Sequence, residues 1–173
     1  MVFLLWRHVR VGAGIRNSEP TNRFLRLMTH SAKRAFGSQI QTLQVKTTRR
    51  TEWVNITAAV NRCVAESGVS AGVCHLYVPH TTAGITINEG DDPDVARDME
   101  AAFDRMAPRD AGYKHYEGNS DSHIKASLVG ASQSVFIESG QLRLGRWQAI
   151  FFCEFDGPRN REVQIKIQPD VAL

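Results

Sequence analysis

Three stretches of this 173-residue sequence gather side chains able to ligate a metal, move a proton or hold an anion. His80-Thr81-Thr82-Ala83-Gly84 is a polar burst directly after the apolar run at residues 72–78. Functional residues concentrate in such loops at the ends of rigid elements. His80 can ligate a metal or shuttle a proton. Thr81, Thr82 and nearby amides can hold phosphate oxygens. A turn whose hydroxyls satisfy local backbone groups is an equal competitor. The second stretch, Asn88-Glu89-Gly90-Asp91-Asp92-Pro93-Asp94, puts four acids within six residues. Asp92 and Asp94 suit a helix start. Asn88 and Glu89 precede that start and can offer oxygen ligands to a hard cation such as Mg²⁺.

The third stretch is His115-Tyr116-Glu117-Gly118-Asn119-Ser120-Asp121-Ser122-His123, in which His115, Asn119 and His123 are spaced by four and four. Gly118-Asn119-Ser120 reads as a loop entering a helix. That places His123 in the first helical turn, where free N–H groups favour anions, with Lys125 close by. His80, His115 and His123 together would make a three-nitrogen site for Zn²⁺ or another divalent metal, completed by water or a carboxylate. The competing reading has the rings bridging loops by hydrogen bonds. Gln148 and Glu154 share one face of a strand. From there Glu154 can orient a histidine or act as a base, or the two can form a polar ladder at a subunit contact. Arg159 and Arg161 either bind an anionic substrate or are solvated hairpin charges.

The positioning elements follow from periodicity. Residues 39–48 and 52–56 read as strands. Thr57 is expected to cap a helix over residues 58–67, with Val60, Cys63 and Val64 facing inward and Gly68 at its end. Residues 72–78 suit a central strand buried on both faces, with His75 inside it. Residues 84–88 form another strand. Asp92 caps a second helix with Pro93 at its first position; Val95, Met99, Ala102, Phe103 and Met106 form its core-facing stripe, and Pro108 stops it. A third helix starts near Asn119–Ser120, carries Ile124, Leu128 and Val129, and ends at Gly130. Residues 134–137 and 141–144 flank a turn. Residues 147–155 make a long alternating strand, and Asp156-Gly157-Pro158 turns the chain into a last strand at residues 162–168. The expected class is α+β: a compact single domain of mostly antiparallel β-sheets with two or three helices.

Composition narrows the function classes. The 42% apolar content supports a core, and no run approaches the ~20 apolar residues that span a bilayer, so a membrane protein is not expected. Cys63, Cys74 and Cys153 form no CxxC pair, which favours buried structural thiols in a reducing, cytoplasmic setting. The formal charge of +3 hides an asymmetry. Residues 1–36 carry seven Lys/Arg and one Glu, while residues 37–173 carry 14 Lys/Arg against 17 acids. The body is mildly acidic, so a nucleic-acid partner is not expected. The extension at residues 1–37 reads as an organelle-targeting segment, a start placed ahead of Met28, or a basic tail. There is no GxGxxG, P-loop, nucleophile elbow or HExxH.

Four ordered runs, His80 to Glu89, His115 to His123, Leu144-Gly145-Arg146-Trp147-Gln148 and Glu154-Phe155-Asp156-Gly157-Pro158-Arg159, resemble the YjbQ-like family, often labelled secondary thiamine-phosphate synthase. The resemblance spans residues 38–168. Arg146 departs from it, standing where a smaller residue is expected. It implies a compact α+β fold assembled as a homotrimer. It also implies a site built from His80, Asn88, Glu89, His115, Asn119 and His123 near a subunit boundary. The associated activity couples a hydroxymethylpyrimidine diphosphate to a thiazole phosphate and releases pyrophosphate. On this reading His80, Glu89, His115 and His123 are the candidate catalytic residues. Thr81, Thr82, Asn88, Asn119, Lys125, Gln148 and Glu154 would bind a small phosphorylated metabolite. The alternatives are a metal-dependent hydrolase of a phosphorylated or cyclic metabolite, and a metabolite- or metal-binding protein without turnover.

Overall fold

The computed structural model describes residues 39–171, so the readings of the basic extension fall outside the described residues. Strand β1 is Gln41–Lys46, β2 Glu52–Asn55, β3 Ala71–Tyr77, β4 Ala83–Glu89, β5 Ser132–Glu138, β6 Gln141–Leu142, β7 Gln148–Glu154 and β8 Asn160–Pro169. Helix α1 is Thr57–Ser67, α2 Pro93–Met106 and α3 Ser120–Val129. The strands form two antiparallel sheets, one ordered β1-β8-β3-β5-β6 and one β2-β7-β4. The expected α+β class is the observed one.

The main core lies between the sheets. Cys74, Leu76, Val135, Val163, Ile165 and Ile167 from the larger sheet meet Ile85, Ile150 and Phe152 from the smaller, with Val60 and Val64 of α1 against them. The other face of the smaller sheet carries a second apolar cluster, where Phe151, Cys153 and Phe155 pack with Ala126 of α3 and Trp53. Phe103 of α2 joins through ring contacts to Trp53 and Phe155. The doubly buried strand is therefore β7, whose residues after Gln148 are all buried. Strand β3 is central as expected, but it buries one face only: His75 and Tyr77 are exposed. An apolar run fits a central strand of a one-sided sheet as readily as one covered on both sides, and the covering helices went to the smaller sheet instead.

Two helix details also differ. Thr57 does not cap α1; its Oγ1 accepts the Ile150 N–H at 2.8 Å, stitching α1 to β7. Asp92 does cap α2, accepting the Asp94 N–H at 2.9 Å, with Pro93 at the first position. Of the expected core stripe of α2, Phe103 is buried, Val95, Met99 and Ala102 are half-buried, and Met106 is 61% exposed. Gly68 closes α1 at φ 68°, a left-handed conformation that glycine adopts without strain. The thiols are free; burial pushes Cys74 up to about 12 and also raises Cys153, as expected of packing cysteines. Among the described residues no helix is long and apolar enough to cross a membrane.

Candidate functional site

The site grows from a buried ion pair. Arg161 sits on β8 in the inward row with Val163, Ile165 and Ile167, and its guanidinium meets Glu154 in a two-pronged contact, Nε and Nη2 each 2.7 Å from a carboxylate oxygen. Glu154 has no exposed surface. Its carboxylate also accepts from Thr47 Oγ1 at 3.2 Å and from the Phe155 and Asp156 amides at 3.1 and 2.9 Å. A buried carboxylate is tolerated only when its lone pairs are filled in this way. Arg161 Nη2 bonds Thr82 Oγ1 at 2.8 Å. One guanidinium thus fixes the end of β7, the start of β8 and the His80-Thr81-Thr82 turn. Glu154 is enclosed by this scaffold, while Thr82 Oγ1 accepts from Arg161 and keeps its own O–H to donate.

The turn presents His80 and Thr81. The Glu162 amide donates to His80 Nε2 at 3.0 Å. Burial, then the neighbouring Arg161 charge, hold the His80 pKa below the usual histidine value against the pull of Glu162 and Glu154. His80 and Thr81 line a cavity of about 470 Å³ with Ala83, His123, Ala126, Ser127, Gly130 and Ala131. A second cavity of about 440 Å³ is lined by Tyr113, Lys114, His115, Ser120, His123 and Ile124. His123 belongs to both. Its ring lies 5.4 Å from that of His115, centroid to centroid and nearly perpendicular.

Helix α3 carries His123 and is inverted in polarity. It buries Asp121, Ser122, Lys125 and Ala126 while Ile124 and Leu128 face outward. Asp121 accepts from Arg50 at 2.9 Å and from Lys125 at 3.1 Å, and Lys125 also reaches Asp104 of α2 at 2.6 Å. Ser122 Oγ donates to the Phe155 carbonyl at 2.6 Å. Arg50 continues to Asp156 at 3.1 Å, which Asn119 and Arg159 also contact, at 3.1 and 2.7 Å. Burial by itself would raise the Asp156 carboxyl, but hydrogen bonds from Arg159 and Asn119 and the charges of Arg159 and Arg50 hold it below the usual carboxylate range. This network sets the pose of α3. It also occupies Lys125, expected to hold phosphate, and the amide nitrogen of Asn119, expected to bind substrate, in contacts within the protein.

The remaining expected residues lie elsewhere. Asn88, Glu89 and Gln148 sit where the end of β4 pairs with the start of β7. With six residue steps between Ala83 and Glu89, they stand roughly 20 Å from the His80 turn in the same chain. The Asn88 amide oxygen accepts the Glu89 N–H at 2.8 Å, and Gln148 accepts from the Gly145 amide at 2.8 Å. Gln148 and Glu154 occupy opposite ends of β7. The expected three-imidazole metal set is not assembled within one chain. Among the described residues no three His, Cys, Asp or Glu side chains are grouped to hold a metal ion, and the His80 Nε2 lone pair is already taken. His115 and His123 remain as a pair.

Arg50, Asp121 and Asp156 hold the site in place although no motif reading assigned them a role, and Arg161 does so as a structural cation rather than as an anion binder. Arg161 was legible, since it falls in register with three inward apolar residues of β8. Arg50 and Asp121 had no local signal, being partners 71 residues apart.

Comparison with known proteins agrees with the resemblance. The family model described as UPF0047 protein YjbQ-like matches residues 41–170. The chain is 52% identical to UPF0047 protein YugU of Bacillus subtilis over 129 residues, 74% of this chain and 98% of that one. It is 51% identical to a UPF0047 protein of Methanocaldococcus jannaschii, covering 73% and 92%. Among solved structures, an uncharacterized YjbQ/UPF0047 protein of Clostridium acetobutylicum is 53% identical with a TM-score of 0.72, covering 73% of this chain and 98% of that one. A protein of Sulfolobus solfataricus described as YbjQ-like and of unknown function is 31% identical with a TM-score of 0.73, covering 76% and 97%.

Proposed function

The chain belongs to the UPF0047 YjbQ-like family, and from that premise we propose that the paired cavities meeting at His123 bind a small phosphorylated metabolite and transform it. The observation that carries this reading is the shared wall. One imidazole faces two adjoining spaces, each within the usual range for small-molecule pockets. One space offers the His80 and Thr81 donors, and the other offers Tyr113, Lys114 and His115. That division suits a ligand with an anionic group at one end and a ring at the other.

The specific reaction put forward is the one the family resemblance implies. The thiazole nitrogen attacks the pyrimidine methylene, a C–N bond forms, the C–O bond to diphosphate breaks, and pyrophosphate leaves. His123, outside the ionic scaffold, and His115, whose Nε2 lies 3.7 Å from the Glu117 carboxylate, are the side chains for proton movement and for donating to the departing oxygens. Should a divalent metal bind here, His115 and His123 would be its nitrogen ligands, a set that suits Zn²⁺ rather than the oxygen-seeking Mg²⁺, and the metal would take over from those rings the stabilisation of the leaving group. Assembly as a homotrimer belongs to the same proposal. It is supported by the outer face of the larger sheet, where Phe136 is 72% and Tyr77 50% exposed.

Supplying both precursors and measuring pyrophosphate release tests the reading. His115→Ala and His123→Ala are expected to lower turnover about a hundredfold or more with circular dichroism unchanged. Turnover at the wild-type rate in both variants contradicts the site assignment. Release of orthophosphate from a single phosphorylated compound would favour the hydrolase reading instead.

A further inference from the structure

Resting on that reading, we infer that His80 is a fixed hydrogen-bond donor to the anionic end of the ligand, acting through Nδ1–H, and neither a base nor a metal ligand. A neutral imidazole has one N–H and one lone pair, and the partner of one nitrogen dictates the state of the other. The Glu162 amide can only donate, so Nε2 must supply the lone pair at 3.0 Å. The proton is then on Nδ1. Glu162 cannot shift to release the ring, because it follows Arg161, which is clamped to Glu154 and Thr82.

Nδ1 opens to solvent. It has no hydrogen-bond partner among the described residues, yet it is absent from the buried unpartnered side-chain atoms, which are Trp53 Nε1 and Asn119 Oδ1. The ring lines the cavity shared by Thr81, Ser127 and His123. An N–H held in place before the ligand arrives, beside the Thr81 hydroxyl, is what stabilises an oxyanion without reorganisation; the Ser127 hydroxyl is spent on the His123 carbonyl at 2.9 Å. Arg161 is the positioning residue, since it pins both the turn that carries His80 and the strand that sets its tautomer. The three histidines therefore divide the work: His80 donates, while His123 and His115 keep lone pairs for a proton or a cation.

Two measurements on the full chain decide this, with pyrophosphate as the probe. A long-range ¹H–¹⁵N spectrum of histidine-labelled protein, with the His80 signals assigned by their loss in a variant, reports the tautomer directly. The expected result is a protonated Nδ1 and an unprotonated Nε2, with the Nδ1 signal moving as pyrophosphate is added. Calorimetry then compares two substitutions. His80→Asn places an amide N–H close to the Nδ1 position and is expected to bind within about threefold of wild type. His80→Gln places its amide nearer the Nε2 position and is expected to bind roughly tenfold to a hundredfold more weakly, the range for a lost charge-assisted hydrogen bond. An Nε2–H tautomer, or wild-type binding by His80→Gln, overturns the donor role and leaves the pocket standing. Absence of pyrophosphate binding by the wild type overturns the pocket and the donor role together.

Discussion

Arg161 shows how much one side chain decides. Its guanidinium satisfies a carboxylate without exposed surface and a threonine of the His80 turn. Removing the cation alone strands the Glu154 charge in the core, a change that typically costs about 3–5 kcal/mol. Arg161→Met should therefore lose about that much stability in urea unfolding, and adding Glu154→Met should recover most of it. The recovered double variant should still bind pyrophosphate poorly, because the His80 turn has lost its tie. Asp156 gives a pH signature at the same scale. Its native pKa is depressed, so its contribution is complete above the unfolded value near ~3.9 and fades as pH falls through the native value. Melting temperatures followed downward from pH 6 should drop in that acid window, and Asp156→Asn should flatten the drop while lowering stability at neutral pH.

At the scale of elements, strand β4 and the end of α3 approach too closely for any side chain larger than glycine at position 84. A Cβ there would stand 2.7 Å from the Gly130 carbonyl oxygen and 2.9 Å from Val129 Cγ1. The Ile85 amide donates to that same carbonyl at 3.0 Å, so the contact ties the helix bearing His123 to the sheet. Gly84→Ala is expected to cost about 1–3 kcal/mol through overpacking. It should also weaken pyrophosphate binding by displacing α3, an effect calorimetry on the folded variant would reveal. Elements were the most legible level. Apolar alternation marked β8, and Asp92-Pro93 marked the start of α2. The facing of α3 had no such mark. Ile124 and Leu128 of α3 face outward while Asp121 and Lys125 go in, because Arg50 and Asp104 arrive from distant segments to neutralise them. Nothing within ten residues of Lys125 announces Asp104.

At the scale of the whole molecule, the motif residues divide between two ends. His80, Thr81, His115 and His123 meet at one, and Asn88, Glu89 and Gln148 occupy the other. Motif order along the chain carries no information about which ends of paired strands coincide, so the sequence reading merged them into one cluster. Among the described residues nothing covers the outer face of the larger sheet, and Phe136 and Tyr77 lie upon it. The homotrimer proposal gives that face a partner. Light scattering should return a mass near three times 19.3 kDa, and Phe136→Asp should shift it toward the single chain.

The central claim is that a phosphorylated ligand occupies the cleft divided by His123, and mapping pyrophosphate onto the labelled full chain by amide chemical shifts tests it most directly. The expected result is a set of shifts confined to His80, Thr81, His115, Ser120, His123, Ser127 and their immediate neighbours, saturating with added ligand. Shifts centred on Glu89, Trp147 and Gln148, or none at millimolar pyrophosphate, would contradict it.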